Sequence, residues 1–130
     1  MKELNNILLL FVLTISFSAC GQSNKDRIVL GKEYAKQELI SVLNDKNQHN
    51  IIDNKTVLIK DSLTAINIAE PILFSIYGKN NIIKQRPYEA YFLDNFWVIK
   101  GSLPKGYKGG TFLIIIDSRN SQIKKITHGK

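Results

Sequence analysis

The sequence predicts an α+β domain in which helices pack on a twisted antiparallel sheet of about four strands. Two features of the hydrophobic pattern predict this class. Apolar residues recur with helical spacing over residues 31–44 and 61–78, as in amphipathic helices. After Gly78 the period changes to two, and short apolar runs are separated by turn residues, which is typical of a meander of strands.

The second predicted helix contains one residue that conflicts with its period. It begins near Asp61, which is a favourable N-cap, and it ends at Gly78, which suits the left-handed conformation that closes many helices. Pro71 lies between them, removes one hydrogen-bond donor and clashes with the preceding turn at a cost of ~3 kcal/mol. We therefore expect a kink near residues 67–71, or two shorter helices.

Four apolar runs predict strands at residues 88–93, 96–102, 111–117 and 122–127. Asp94 and Asn95 are turn residues, so the first two strands should form a hairpin. The third run is apolar on both faces, and we expect it to be central and covered on both sides. Asp117 begins the following turn, where a solvated carboxylate is the usual occupant.

The first twenty residues resemble the leader of a bacterial lipoprotein. The apolar run at residues 7–17 is too short to cross a hydrocarbon core of ~30 Å and suits the h-region of a secretory signal. Ser18 and Ala19 precede Cys20, the only cysteine of the chain. The resemblance implies cleavage before Cys20 and its acylation. We assign residues 1–19 to a lipoprotein signal peptide, 20–30 to a tether and 31–130 to a single α+β domain.

The formal charge of the 130-residue chain is +7, and its cations are unevenly distributed. Residues 71–130 hold ten lysines and arginines against three acidic residues, so the whole excess lies in this half. Such a field favours an acidic partner and speeds its encounter with the protein. Export and the lack of an arginine-rich run or an aromatic ribonucleoprotein motif argue against nucleic acid. A solvated basic face or attraction to anionic lipid is the alternative.

The residue pattern predicts no catalytic centre, metal site or cofactor. The titratable candidates Glu89, Asp94, Asp117 and His128 do not pair by spacing. The sequence has no Gly-x-Ser-x-Gly elbow, no His-Glu-x-x-His helix and no Walker loop. We therefore expect a protein that is not an enzyme.

Residues 61–130 carry a succession of short motifs. In order these are Ala65-Ile66, Ala69-Glu70, Ile76-Tyr77-Gly78, Gln85-Arg86-Pro87-Tyr88, Trp97-Val98, Gly101-Ser102-Leu103-Pro104, Gly109-Gly110 and His128-Gly129-Lys130. Together they resemble a family of immunity proteins with the fold of nuclear transport factor two, found in bacterial polymorphic-toxin and contact-dependent competition systems. The resemblance implies a cystatin-like cone with a curved antiparallel sheet, and it implies binding and neutralisation of a cognate toxin.

The leader and the family resemblance together predict an immunity protein anchored by lipid in the cell envelope, facing the periplasm. Its expected partners are a cognate toxin with an acidic surface and the membrane, through Cys20. The alternatives are a small-molecule-binding or enzymatic cone-fold protein, such as an isomerase or dehydratase, and a generic envelope inhibitor lipoprotein. For toxin binding we select basic and aromatic residues by their loop position and charge, since arginine and aromatic side chains dominate tight interfaces. They are Arg86, Tyr88, Lys105, Tyr107, Lys108, His128 and Lys130.

Overall fold

The computed structural model describes residues 27–129, and the chain divides into two compact units, residues 1–48 and 49–130. In the first unit helix α1 spans Gly31–Asn44, the range that the hydrophobic period predicts, and none of its residues is buried. Between residues 27 and 129 there is no helix long and apolar enough to cross a membrane. The predicted signal peptide and Cys20 lie outside the described residues, and the predicted domain boundaries stay predictions.

The second unit contains two helices followed by one four-stranded sheet. Its elements are α2 (Ser62–Tyr77), α3 (Lys79–Ile83), β1 (Glu89–Leu93), β2 (Phe96–Lys100), β3 (Phe112–Asp117) and β4 (Ile123–His128). The sheet order is β1-β2-β3-β4, and all three pairs are antiparallel. This architecture confirms the predicted α+β class, in which helices precede an antiparallel meander.

Helix α2 begins and ends where its capping residues predict. The Asp61 carboxylate accepts a hydrogen bond of 2.8 Å from the backbone N–H of Thr64, which is N3 of the helix. At the other end Gly78 has a φ of 84°, a conformation that glycine adopts without strain. Pro71 does not divide the helix, so the expectation of two shorter helices is wrong. Pro71 and Asn67 are both exposed, and water can therefore bind the Asn67 carbonyl that Pro71 leaves without an amide partner.

The predicted β1–β2 hairpin is confirmed, with a two-residue turn. Asp94 and Asn95 have φ values of 48° and 69°, as in a type I′ turn, whose twist matches that of the flanking strands. Leu93 and Phe96 flank the turn and are register partners. The Asn95 carbonyl accepts a hydrogen bond of 2.9 Å from the backbone N–H of Ser118, which joins this turn to the end of β3.

One face of the sheet packs on α2 and α3 and forms the hydrophobic core. Leu73 of α2 and Ile82 of α3 are fully buried against Ile99, Phe112 and Ile114 of the sheet. Burial of each such side chain contributes about 1.5–3 kcal/mol. The core therefore sets the position of both helices against the sheet.

The irregular segment before α2 also belongs to this core. The backbone N–H groups of Leu58 and Ile59 both donate to the Ser118 carbonyl at 2.9 Å. The Trp97 indole N–H donates to the Ile59 carbonyl at 2.8 Å. These contacts bury Ile59 and connect the segment to both β2 and the end of β3.

The opposite, outer face of the sheet is less well covered. Strand β3 is central, as expected, but on this face Leu113 and Ile115 are only half-buried. Tyr91 and Leu93 of β1 lie on the same face and are 51% and 56% exposed. The expectation that β3 is covered on both sides is therefore wrong for this face, since α2 and α3 both pack on the other one.

Candidate functional site

A cleft of about 570 Å³ opens between α2 and the segment that leads into β1. Leu63, Ile66, Asn67 and Glu70 line it from the helix. Arg86, Pro87 and Tyr88 line it from the other side, and the Arg86–Pro87 peptide bond is cis. Two of the residues selected for toxin binding, Arg86 and Tyr88, thus meet apolar side chains of α2, which gives an apolar cleft with a charged rim.

Glu70 holds the basic and aromatic side chains of this rim. Its Oε1 accepts a hydrogen bond of 2.9 Å from Nε of Arg86, and Nη2 of Arg86 also contacts the same oxygen. The Tyr88 hydroxyl donates to Oε1 at 2.8 Å. The guanidinium carbon of Arg86 lies 5.7 Å from the centre of the Tyr88 ring. The Glu70 side chain is 14% exposed and that of Arg86 51%, so the arginine is oriented while it remains accessible.

The contacts of this network keep Arg86 protonated and charged, and they keep Tyr88 protonated and neutral. The hydrogen bond to Glu70 raises the pKa of Arg86 above its already high ordinary value. Burial raises the pKa of Tyr88, and its hydrogen bond to Glu70 raises it further. At physiological pH the rim therefore presents a cationic guanidinium and a neutral phenol.

His128 is placed by the buried side chain of Gln85. Gln85 Oε1 accepts from the backbone N–H of Phe112 at 2.9 Å, which orients the amide so that its Nε2 donates to the Asn81 carbonyl at 3.0 Å. The same Nε2 lies 3.1 Å from Nε2 of His128. His128 Nε2 must therefore accept, and its proton is on Nδ1, which lies 2.7 Å from the Gly129 carbonyl.

His128 also packs against an aromatic ring. The ring centres of His128 and Tyr77 are 5.2 Å apart, and His128 is half-buried at the end of β4. Its contacts place it between the end of α2 and the sheet, so it offers a partner only part of its ring. Lys130, the neighbouring selected residue, lies outside the described residues.

The remaining selected residues lie on the loop between β2 and β3. Lys105, Tyr107 and Lys108 are exposed, and the Tyr107 side chain is 72% exposed. The backbone N–H of Tyr107 donates to the Pro104 carbonyl at 3.0 Å, which forms a turn at the loop tip. Among residues 27–129, neither these three residues nor their side chains bond to Arg86 or Tyr88. The structure thus shows two separate groups of selected residues, the cleft rim and the loop.

The loop is held at its base by a close approach of two backbones. A Cβ on Gly110 would lie 1.9 Å from the carbonyl carbon of Gly129, so this position admits only glycine without a shift of the chain. The Gly129 N–H donates to the Thr111 carbonyl at 3.0 Å. At the other end of the loop, the Ser102 N–H donates to the Gln85 carbonyl at 2.9 Å.

Two of the acidic residues considered as acid–base candidates, Asp117 and Glu89, form ion pairs with basic residues. Asp117 is buried, with its side chain 3% exposed, and Arg119 Nη2 contacts its Oδ2 at 2.8 Å. The expectation of a solvated carboxylate is therefore wrong. The hydrogen bond from Arg119 lowers the pKa of Asp117 to about 2, against the opposing effect of burial. Glu89 accepts from the Tyr91 hydroxyl at 2.9 Å and lies 3.7 Å from Lys100 Nζ.

Two residues that organise the site were not selected from the sequence. Glu70 bonds to Arg86 and Tyr88, which lie 16 and 18 residues further along the chain. Gln85 approaches His128, which lies 43 residues further along. Both residues occur in the motifs that carry the family resemblance, but nothing in their spacing indicates their partners. Only the packing of α2 against the start of β1 brings Glu70 to Arg86.

Comparison with known families decides what kind of protein carries this site. Residues 64–130 match the family described as NTF2 fold immunity protein. The chain belongs to this family. The match begins inside α2 and includes Glu70, Gln85 and the whole sheet of the immunity protein, which confirms the resemblance found in the sequence. Family membership supports an immunity function in general.

Two proteins of Escherichia coli (strain K12) are similar to this immunity protein. One is the uncharacterized protein YhhH, which is 31% identical over 74 residues, or 56% of this chain and 58% of the relative. The other is the uncharacterized protein YbbC, 32% identical over 73 residues, or 55% of this chain and 60% of the relative. The chain thus covers less than two thirds of the length of either relative. No solved structure gives a significant match.

Proposed function

We propose that this immunity protein neutralises a cognate toxin by binding it, without catalysis, while a lipid on Cys20 holds it in the cell envelope, facing the periplasm. The observation that carries the proposal is the family match over residues 64–130. The exposed cations of the second unit support an acidic partner surface. Residues 49–130 contain twelve lysines and arginines against six acidic residues.

The side chains available for binding fall into the two groups that the geometry defines. Arg86 and Tyr88 are prealigned by Glu70, so they lose less side-chain entropy when a partner binds. Tyr107 is an exposed aromatic side chain between two lysines of the β2–β3 loop. An arginine beside a tyrosine and an exposed tyrosine are the residue types that contribute most of the energy of tight interfaces.

The decisive experiment is co-expression with the product of the adjacent gene, scored by rescue from its toxicity. We expect the protein to restore growth and to co-purify with the toxin. No rescue and no complex would contradict the proposal. Rescue without a complex, accompanied by a chemical change in the toxin, would instead establish an enzyme.

The contribution of the loop is tested by reversing two of its charges. We expect the Lys105→Glu/Lys108→Glu variant to bind the toxin about tenfold or more weakly, chiefly through slower association. The control is Lys79→Glu/Lys84→Glu, which changes the net charge equally at two exposed lysines, one at the start of α3 and one directly after it. Equal losses in both variants would mean that general charge, not the loop, attracts the toxin.

Envelope anchoring is tested at Cys20. Acyl chains contribute ~0.8 kcal/mol per buried methylene, so a multiply acylated protein should fractionate with membranes. We expect Cys20→Ser to move the protein to the soluble fraction and to remove incorporation of labelled fatty acid. A variant that stays in the membrane fraction would contradict lipid anchoring.

A further inference from the structure

We propose that the free edge of β1, together with the cleft beside Arg86, is the docking site for an extended acidic segment of the toxin, which adds to the sheet as a fifth strand. The inference rests on the proposed function and gives it a binding mode. Strand addition uses main-chain hydrogen bonds for affinity and side-chain pockets for specificity. The free edge of β1 provides the main-chain hydrogen bonds, and the cleft provides the side-chain pocket.

Hydrogen-bond register shows which groups of β1 are free. The Gly101 N–H donates to the Phe112 carbonyl, so alternate residues of β2, Trp97 and Ile99, also direct their backbone groups towards β3. The residues of β2 that alternate with these direct their backbone groups towards β1 instead. Their partners on β1 are Leu93, Tyr91 and Glu89. It follows that the backbone groups of Ala90 and Phe92 point away from the sheet. Within the described residues β1 pairs only with β2.

The two edges of the sheet differ in how they are protected. Strand β4 carries the exposed lysines Lys124 and Lys125, which discourage pairing with another chain. Strand β1 has no lysine, and three consecutive apolar residues at its end are exposed. Tyr91, Phe92 and Leu93 are 51%, 45% and 56% exposed. The unprotected edge is therefore β1.

The cleft continues this edge at the start of the strand. Tyr88 lines the cleft and directly precedes Glu89, the first residue of β1. A segment paired with β1 that runs past Tyr88 thus meets the apolar walls formed by Leu63 and Ile66. There it also meets the half-exposed guanidinium of Arg86. An apolar side chain followed by a carboxylate fits this order of surfaces.

Charge selects the toxin segment over a second copy of this chain. The second unit has an excess of six positive charges, so two copies repel each other, whereas an acidic segment is attracted. Arg86 has a half-exposed guanidinium at the cleft rim; because Glu70 already accepts from its Nε, a carboxylate of the segment would pair end-on with its Nη groups. The occupant we assign is therefore an extended stretch of the toxin that is acidic and partly apolar.

The main-chain part of the proposal is tested at Phe92. Phe92→Pro removes the outward N–H, while Phe92→Ala removes the same ring, which packs against Trp97 with centres 5.1 Å apart, but keeps the N–H. We expect Phe92→Pro to bind the toxin about tenfold more weakly than Phe92→Ala. Circular dichroism must show the same strand content in both variants. Equal affinities of the two folded variants would overturn the proposal.

A second pair of variants tests the edge without removing an N–H. Leu93→Lys places a protective lysine on β1, and Ile76→Lys adds the same charge at a side chain of similar exposure, 52%, near the end of α2. The added charge alone strengthens binding to an acidic toxin. We therefore expect Leu93→Lys to weaken binding and Ile76→Lys to leave it unchanged or stronger. Unchanged binding by Leu93→Lys would contradict strand addition.

These outcomes separate the two proposals. If the wild-type protein binds no toxin, the proposed function fails. If wild type and all four variants bind it equally, the function stands and the β1 site is wrong. A wild-type dimer that Phe92→Pro converts to a monomer, with toxin affinity unchanged, would show that a second copy occupies the edge and would also overturn the assignment.

Discussion

The side chain of Gln85 joins three segments that lie far apart in the chain. It is 6% exposed and bonds to the backbone of α3 and of β3, and it approaches His128 at the end of β4. A buried amide with both ends paired is costly to replace, because the backbone N–H of the fully buried Phe112 then lacks a hydrogen bond without access to water. Gln85 therefore connects the segment between α3 and β1, which lines the cleft, to the C-terminal strand β4.

We expect Gln85→Leu to lower the free energy of unfolding by about 3 kcal/mol, because it leaves the buried Phe112 N–H unpaired and removes the hydrogen bond to the Asn81 carbonyl. Urea denaturation measures the change. The control is Gln122→Leu in the exposed turn before β4, which should change stability by less than about 0.5 kcal/mol. Equal effects of the two substitutions would show that the Gln85 network is not a main source of stability.

Asp117 gives the protein a specific response to acid. The Arg119 hydrogen bond lowers its pKa from 3.8 to about 2, so its folded-state pKa lies below its unfolded-state value. The ionised carboxylate therefore contributes stability above about pH 4, and this contribution is lost as the pH falls towards 2. We expect Asp117→Asn to be less stable than wild type at pH 7 and the difference to shrink towards pH 2.

Chemical denaturation of both proteins across this range measures that difference. The other carboxylates with lowered pKa, Asp53 and Asp61, are present in both proteins and cancel in the comparison. A stability difference that stays constant from neutral to strongly acidic pH would contradict the role of the Asp117–Arg119 pair.

At the scale of elements, α2 is continuous despite its proline. The helix has 16 residues, and its buried residues Ala65, Ala69 and Leu73 face the sheet while Pro71 is exposed. Core packing thus outweighs the local cost of proline. Helical order in this unit depends on the packed face more than on local propensity.

We expect Pro71→Ala to stabilise the protein by about 1–3 kcal/mol, because it restores the N–H to the Asn67 carbonyl and removes the ring from the helix. The greater entropy of the unfolded chain offsets about 0.4–1 kcal/mol of the gain. Thermal and urea unfolding measure the balance. A lower midpoint for Pro71→Ala would mean that the proline is needed for the shape of α2.

At the scale of the whole molecule, charge is concentrated in the part of the chain that matches the immunity family. The ten cations and three acidic residues of residues 71–130 all lie within the matched region. The proposed binding edge and the β2–β3 loop both belong to this region. We therefore expect the same unit to provide both the long-range attraction and the short-range contacts with the toxin.

If this field steers the toxin, association should slow steeply with ionic strength. We expect the association rate constant to fall by about tenfold or more between about 0.05 and 0.5 M salt, while dissociation changes less. Stopped-flow or surface-based kinetics with the purified toxin measure both rates. An association rate that does not depend on salt would contradict an acidic partner surface.

The fold class and the ends of several elements could be predicted because their causes are local. Helix α1 has the predicted bounds, α2 begins after Asp61 and ends before Gly78, and Asp94-Asn95 forms the predicted hairpin turn. Caps, turns and hydrophobic periods act over a few residues. The short helix α3 was not predicted, because five residues are too few to display a period.

Tertiary structure alone decided the partners of the polar side chains and the two faces of the sheet. Glu70 reaches Arg86, and Gln85 reaches His128, only after α2 and α3 have packed on the sheet. The apolar residues of β3 predicted two covered faces, but their pattern cannot specify which face receives the helices. The elements follow from the amino-acid order alone, because their signals are short-range. The cleft, the free edge and the buried ion pair depend on contacts between distant residues, which only the folded chain brings together.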